Sequence, residues 1–451
     1  LKDLVLGTVE IKQNDKKKKK RLIVGIAIVV LSVILPFVVP VNLVVPIGGL
    51  CILTLVSSML YSTPFFVRVI TRLFERLYYR LFGNEGFIAV KNIKNNDNIN
   101  QNVSLLIISI STLLLVSILS TTLQELVTNS FLGSNYQITT QGTGVDNSFV
   151  KRINGLKSVE LTYPSYQTSN VEIKNSKEKF RSVEGVNGVG VLEFFDIPLK
   201  EGKVEPLLEM LQSERNILIA DAMMLKLEAK VGDLIILNTK KGDKPYKIVG
   251  VMALSRSDAI IGNRFIKSDF ELSNYGFVAV KSKDPEKAVL DIKDLYGGKN
   301  NFTSTIPELV NRVKSVFGVL FGILKGFSVV LLVIGIFGVM NNLIINFIQQ
   351  RRAIAMFRSV GMSKIQLRKI AFIEAVTAGV IGGVLGISTT LLELVLVSKV
   401  LKNLFGVVPI EYPPLLFIGA FAIGIIVTLI GSIGPGIKGQ KLKIIEAIKF
   451  Q

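Results

Sequence analysis

Histidine is absent from this 451-residue chain, and cysteine occurs once, at Cys51. The first absence rules out Ser-His-Asp and Cys-His nucleophile arrangements, histidine-ligated zinc and a histidine proton switch near neutral pH. The second rules out an intrachain disulfide and a cysteine-based metal cluster. Charged residues are also scarce, at 19%. No glycine-rich phosphate loop ending in Lys-Ser/Thr occurs, so the chain has no evident nucleotide site of its own. What fills the sequence instead is apolar: 49% hydrophobic residues and a mean hydropathy of +0.50, the composition of a membrane protein.

The net charge of +19 is unevenly spread. Residues 125–312 hold 25 Lys+Arg against 24 Asp+Glu, and the rest of the chain holds 28 against 10. The excess therefore flanks hydrophobic runs. That is a signature of membrane topology and not of nucleic-acid binding.

Six stretches are apolar over about 20 residues, the length that crosses a hydrocarbon core. They are Leu22–Val39, Val41 to about Leu60, Val103–Leu123, Val316–Ile348, Ile370–Val397 and Leu415–Ile437. Pro36, Pro40 and Pro46 cluster where the first two turn into a hairpin. Lys/Arg residues concentrate in the N-terminal tail, the 62–101 and 349–369 connectors and the C-terminal tail. By the positive-inside rule both termini are cytoplasmic and 125–312 is extracytoplasmic. The expected fold is an α-helical membrane protein with six transmembrane helices and one α/β extracytoplasmic domain between the third and fourth. Its parts are a basic tail (1–21), a transmembrane hairpin (22–62), an amphipathic connector (63–102), a transmembrane helix (103–123), the extracytoplasmic domain (124–312), a stalk with three transmembrane helices (313–438) and a tail (439–451). In the connector, Arg68, Arg72, Arg76 and Arg80 recur among aromatics and read as snorkelling anchors at anionic headgroups.

The loop 124–312 is too long for a simple connection and must fold. Asp146 and Asp284 read as N-caps, the latter followed by Pro285 at the first helical position. Val159–Thr162, Val171–Lys174 and Ile217–Ala220 read as strands, and Leu234–Val251 as a hairpin turning across Lys240-Lys241-Gly242-Asp243.

After the fourth span comes a basic segment in which Ala353, Met356, Phe357 and Val360 share one helical face and Arg351, Arg352 and Arg358 lie elsewhere. Ser359 lies just before its end, Gly361 stops it, and Ser363 can cap the next helix. A short helix with an apolar face suits docking to a soluble partner or to the membrane surface. In the fifth span Gly379/Gly383 and Gly382/Gly386 are small-xxx-small pairs that permit close helix approach. Glu374 and Glu393 are carboxylates within that span. Arg368 or Lys369 is the expected partner of the first, and nearby Lys399 of the second.

Together, the run Gly338–Ser363, the Glu374-to-Gly386 segment, the tail Pro435…Ile444-Ile445-Glu446-Ala447 and the Arg215…Gly250 core resemble the FtsX/MacB-like family of ABC-transporter permeases. Ala353 stands where that family usually has an acidic residue, and Ile444 where it usually has proline. The resemblance implies that Arg351, Arg352, Met356, Phe357, Arg358, Ser359 and Gly361 form a coupling helix to a separate cytoplasmic ABC ATPase. ATP would then act only through that partner, with no cofactor, metal or catalytic residue in this chain. It further implies export or extraction of an amphipathic peptide, lipoprotein or drug. The alternative within the family is mechanical signalling to an extracytoplasmic protein such as a cell-wall hydrolase, and a proton-driven transporter is a lesser alternative. The hairpin 22–62 looks like that of the longer, ten-span family type. With Leu1 in place of an initiator methionine, an N-terminal permease half, or a second permease copy, is an expected partner besides membrane lipids. Lys, Ile and Asn usage points to an AT-rich bacterium and so to its inner or plasma membrane.

Overall fold

The computed structural model describes residues 15–95, 97–131, 135–142, 144–253, 257–296, 301–349, 355–356, 359, 361–405, 408 and 410–440. Helix α1 (Asp15–Val38) carries the basic run and Pro36. A 3-10 turn, Val41–Leu43, follows Pro40 and leads into α2 (Val44–Asn95). The hairpin is held by hydroxyls where apolar helices would otherwise slide: Ser58 Oγ donates to Gly25 O at 2.6 Å, and Ser32 and Thr54 share a hydrogen bond of 2.8 Å. Helix α2 runs through most of the expected connector, as far as Asn95, bent at Gly83 (φ 62°, ψ −140°), a backbone conformation open to glycine; the rest of that stretch, from Asp97, is the start of the next helix. Arg72, Arg76 and Arg80 lie exposed along it.

Helix α3 (Asp97–Phe131) then rises into the α/β domain, and helix α9 (Ile306–Gln349) descends from it. Between them lie β1 (Ile138–Gly142), α4 (Asn147–Asn154), β2 (Leu161–Ser165), β3 (Gln167–Glu172), β4 (Lys179–Val186), α5 (Val204–Ser213), β5 (Asn216–Ala220), α6 (Asp221–Leu227), β6 (Leu234–Thr239), β7 (Gly242–Met252), β8 (Ala259–Gly262), α7 (Asn263–Asp269), β9 (Phe277–Lys281), α8 (Pro285–Leu295) and β10 (Asn301–Thr305). Helices α10 (Lys364–Phe405) and α11 (Pro414–Gln440) complete the bundle. Among the described residues five helices, α2, α3, α9, α10 and α11, are long and apolar enough to cross a membrane; the apolar part of α1, Leu22–Val38, is shorter.

The domain consists of two sheets. Strands β10-β1-β9-β2 form an antiparallel sheet covered by α4 and α8, whose Phe149, Ile153, Ala288 and Ile292 pack on Ile138, Val278 and Val280. Asp146 caps α4 by accepting from Phe149 N at 2.8 Å, and Asp284 caps α8 by accepting from Lys287 N at 3.2 Å. The second sheet, β3-β4-β8-β5-β7-β6, is mixed, with β4 parallel to β8 and β5 parallel to β7. Its central strand β5 buries Ile217, Leu218 and Ile219 completely because both faces are covered. The β6–β7 hairpin turns tightly, pairing Thr239 with Gly242 (φ 84°), so the strands extend further into Lys240–Asp243 than hydropathy suggested.

One buried polar network fixes this second core. Asp269, 2% exposed, accepts from Arg215 Nε at 2.8 Å, Arg215 Nη2 at 3.0 Å and the Tyr246 hydroxyl at 2.8 Å. Burial alone would raise the Asp269 carboxyl, but the bonds from Arg215 and Tyr246 outweigh it and hold its pKa below the ordinary value. Burial, reinforced by the hydrogen bond to Asp269, pushes the Tyr246 phenol up. A carboxyl depressed in the folded state stabilises fully above its unfolded pKa of about 4, and that contribution is lost as pH falls through the lower folded value. Asp269→Ala therefore lowers stability by roughly 3 kcal/mol, since it strands a phenol and a partly buried guanidinium. Asp269→Asn removes the acid-linked loss below about pH 4, read by thermal unfolding across pH.

Candidate functional site

The segment joining α9 to α10 lies at the end of the bundle remote from the α/β domain. Arg351, Arg352, Phe357 and Arg358 lie outside the described residues, as do Ala353 and Val360. Around them Ala355 is buried and Met356 half-buried, and exposed Ser359 donates through Oγ to Met356 O at 2.8 Å. Gly361 takes φ 106°, with open space around its α-carbon, so the chain turns sharply there. Ser363 Oγ accepts from Gln366 N at 3.2 Å while Gln366 Oε1 accepts from Ser363 N at 2.9 Å, a reciprocal cap that starts α10. Met362, between stop and cap, packs with Tyr78, Ile88, Ala89, Ile370 and Ile373. The bend at Gly83 falls between Tyr78 and Ile88, so both sides of it contribute to this cluster.

The same contact contains Glu374. Its Oε1 accepts from Asn92 Nδ2 at 2.8 Å, and one turn further along α10 the Thr377 and Tyr78 hydroxyls share a hydrogen bond of 2.8 Å. The basic partners expected for Glu374 are thus replaced by an amide from another helix. Arg368 and Lys369 sit six and five residues away, about 120° and 140° around the helix, whereas only i,i+3 and i,i+4 neighbours meet. Glu393 departs from expectation for the same reason. It is 2% exposed, and its Oε2 has no hydrogen-bond partner among the described residues. Lys399, six residues on, instead lays its ammonium over the Phe37 ring of α1 at 5.2 Å.

The four glycines divide between two neighbours. A Cβ on Gly379 would lie 2.7 Å from Ile425 Cα and 2.9 Å from Gly424 O, and one on Gly383 2.9 Å from the Phe421 ring, all on α11. A Cβ on Gly382 would meet Leu106 at 2.6 Å and one on Gly386 would meet Ile110 at 2.9 Å, both on α3. Helix α10 thus touches α11 with one small-residue stripe and α3 with the other, while Leu396 packs with Cys51, Leu55 and Met59 of α2.

Helices α3 and α9 form an antiparallel pair that reaches from this end of the bundle to the domain. Asn342 Nδ2 donates to Asn102 Oδ1 at 2.8 Å, Gly338 faces Leu105, and Ser109 Oγ donates to Leu331 O at 3.3 Å. At the far end α9 begins directly after β10, where Thr305 Oγ1 accepts from Glu308 N at 3.2 Å. Strands β1 and β10 continue the pairing from Ile138↔Thr305 to Gly142↔Asn301. A second contact seats the domain on the bundle, with α6 against the near end of α10 and the Val41–Leu43 turn. Asp221, which opens α6, is buried and paired with Lys200. Sequence reasoning did not single out Asn92, Tyr78, Asn102 or Asn342. A signal was available for Asn342, because an amide among apolar neighbours needs a partner, whereas Asn92 and Asn102 lie in the polar run 91–102 and do not stand out.

Residues 325–444 match the FtsX-like permease C-terminal family and residues 102–294 the MacB-like periplasmic core domain. The chain is 22% identical over 346 residues to the uncharacterized ABC transporter permease YknZ of Bacillus subtilis, covering 71% of this chain and 82% of that one. It is 25% identical to the ABC transporter permease MJ1507 of Methanocaldococcus jannaschii (49% of this chain, 58% of that). It is 27% identical to the macrolide export ATP-binding/permease protein MacB of Photorhabdus laumondii (48% of this chain, 35% of that). The chain thus spans little more than half of one curated relative and about a third of another. Among solved structures, the extracellular domain of YknZ from Gram-positive bacteria aligns at 15% identity over 38% of this chain and 98% of that chain, TM-score 0.29.

The glycine contacts yield a controlled comparison. Gly379→Ala forces a Cβ against the backbone of α11 and costs about 1–3 kcal/mol, whereas Gly419→Ala meets nothing within 4 Å and leaves stability unchanged or raised by up to about 1 kcal/mol through alanine's better helix propensity. Thermal unfolding of the two purified variants in detergent distinguishes them.

Proposed function

We propose that this chain, an ABC transporter permease of the MacB/FtsX type, couples ATP hydrolysis by a separate cytoplasmic ATPase to motion of its α/β domain, and thereby exports or extracts an amphipathic substrate. The observation that carries this reading is the unbroken run of α9. Its 44 residues, about 66 Å at 1.5 Å per residue, link the connecting segment at one end to strand β10 at the other. That exceeds the roughly 30 Å of a hydrocarbon core, so displacement of the segment is delivered to the sheet above the bilayer without an intervening loop.

In this mechanism the segment around Met356 docks on the ATPase. Gly361 and the Ser363 cap fix where it ends, and Met362 ties it to the final turns of α2. ATP-driven closure of the ATPase pushes on the segment, and the α3–α9 pair moves the β1–β10 ladder. Six spans, with α1 as the first, leave both termini cytoplasmic and the α/β domain outside. The distribution of lysine and arginine supports that orientation. An amphipathic substrate is supported by the apolar face of α9 below the domain, where Val316, Val319, Leu320, Ile323 and Phe327 are all more than half exposed. That face opens to the leaflet beside the domain, where a molecule with an apolar part would partition.

Two measurements test the reading. Affinity purification from native membranes co-purifies a P-loop ATPase, and Met356→Asp combined with Phe357→Asp reduces its recovery at least tenfold; recovery without any ATPase overturns the assignment. In a Cys51→Ser background, Lys177→Cys reacts with an impermeant maleimide on intact cells, while Lys364→Cys reacts only after permeabilisation.

A further inference from the structure

The two sheets of the α/β domain are joined by two crossover segments that press together. Gly276 N donates to Ser165 O at 2.8 Å, and a Cβ on Gly276 would fall 2.4 Å from Gln167 Cβ. Beside this junction lies an open cleft of about 700 Å³, within the size range of small-ligand sites. One wall is the N-terminal end of α4, from the four-stranded half. The other is Lys241 at the β6–β7 turn together with the outer face of α7, from the six-stranded half. Tyr166 sits between them, buried, its ring 4.5 Å from that of Tyr275. The Tyr275 hydroxyl donates to Asn147 Oδ1 at 2.9 Å.

The charges of this cleft are not spent on the fold. Lys241, Arg264 and Lys267 line it, all three exposed, and none forms an ion pair among the described residues. Lys267 holds its ammonium 5.7 Å from the centre of the Tyr166 ring, and Arg264 lies 5.9 Å from that of Phe265, so both heads stay near the cleft over aromatic surfaces. Of the two acids present, Asp146 is committed to capping α4, where it accepts from Phe149 N and Ser148 Oγ. Glu271 is exposed on the α7–β9 connection. Three cations against two carboxylates leave a surplus of one. A polyanion would be repelled by Asp146 and Glu271, whereas a ligand with a single carboxylate and a neutral or cationic remainder matches the lining.

We infer that this cleft binds a peptide through a carboxylate, which Arg264 and Lys267 hold while half-buried Leu272 supplies an apolar wall for the neighbouring side chain. The planar guanidinium suits a carboxylate, which it grips with two parallel hydrogen bonds. Because the walls belong to different sheets, the bound peptide bridges the two halves of the domain. The site is remote from the segment that carries the ATPase reading, and each stands or falls alone.

The test uses the full chain in lipid nanodiscs without ATPase or nucleotide. Fluorescence anisotropy follows an alanine hexapeptide carrying a neutral dye and a free C-terminal carboxylate. Saturable binding is expected, weakened at least tenfold by C-terminal amidation and at least tenfold by Arg264→Gln with Lys267→Gln. Lys177→Gln, on the β3–β4 connection, leaves it unchanged. An amidated peptide with one internal aspartate identifies the source of the carboxylate: recovered affinity assigns it to a side chain, and continued weakness to a chain terminus. Equal binding of the free and amidated peptides, unaltered binding by the double variant with its thermal unfolding unchanged, or displacement by inorganic phosphate at the same concentration as by unlabelled peptide would each overturn the inference.

Discussion

The connection between the helical bundle and the α/β domain depends first on the pairing of α3 with α9. Each is an apolar helix in a bundle where lipid offers no hydrophobic preference for one neighbour over another, so side-chain fit and hydrogen bonds must hold the pair. The hydrogen bond from the Asn342 amide to the Asn102 amide, the Ser109–Leu331 contact and the fit of Gly338 against Leu105 do this at successive levels. Beyond the bundle the pairing passes to the β1–β10 ladder, where Thr140 and Thr303 share a hydrogen bond of 2.6 Å across paired residues. Helix pair and strand pair thus follow one another along the same two stretches of chain, α9 beginning directly where β10 ends.

Helix α10 supplies the complementary constraint. Its two glycine stripes lie about 60° apart, and each admits a different neighbour to close range, so α3 and α11 are both set by backbone proximity. On its remaining side the Asn92–Glu374 and Tyr78–Thr377 contacts bind the end of α2. Through Met362 the connecting segment joins that same cluster, so its position is coupled to α2 and α10 as well as to α9. The contact of α6 with the other end of α10 gives the domain a second footing, independent of the α3–α9 pair.

Within the α/β domain the two halves differ in how polar groups are handled. In the six-stranded half the Arg215–Asp269–Tyr246 network satisfies buried charge internally. In the cleft between the halves the cations are left facing solvent. A carboxylate neutralised inside one half and cations unspent at the junction serve different ends: the first specifies the packing of a core, the second leaves attraction available for a ligand.

Hydropathy and charge placement in the sequence carried the apolar helices, the long folded domain between the third and fourth predicted spans, the caps at Asp146, Asp284 and Ser363, and the stop at Gly361. All of these rest on local rules, in which a residue's meaning follows from neighbours within about four positions. Local spacing also showed that Gly379, Gly382, Gly383 and Gly386 invite close contact, but not with which helix. It misjudged the partners of Glu374 and Glu393, because charges five or six residues apart on a helix look adjacent in a string and are not adjacent in space. The division of the domain into two sheets, the meeting of β1 with β10, the Asn102–Asn342 bond and the convergence of Lys241, Arg264 and Lys267 on one cleft join residues far apart along the chain. Their pairing is set by how whole elements pack, which only the tertiary structure decides.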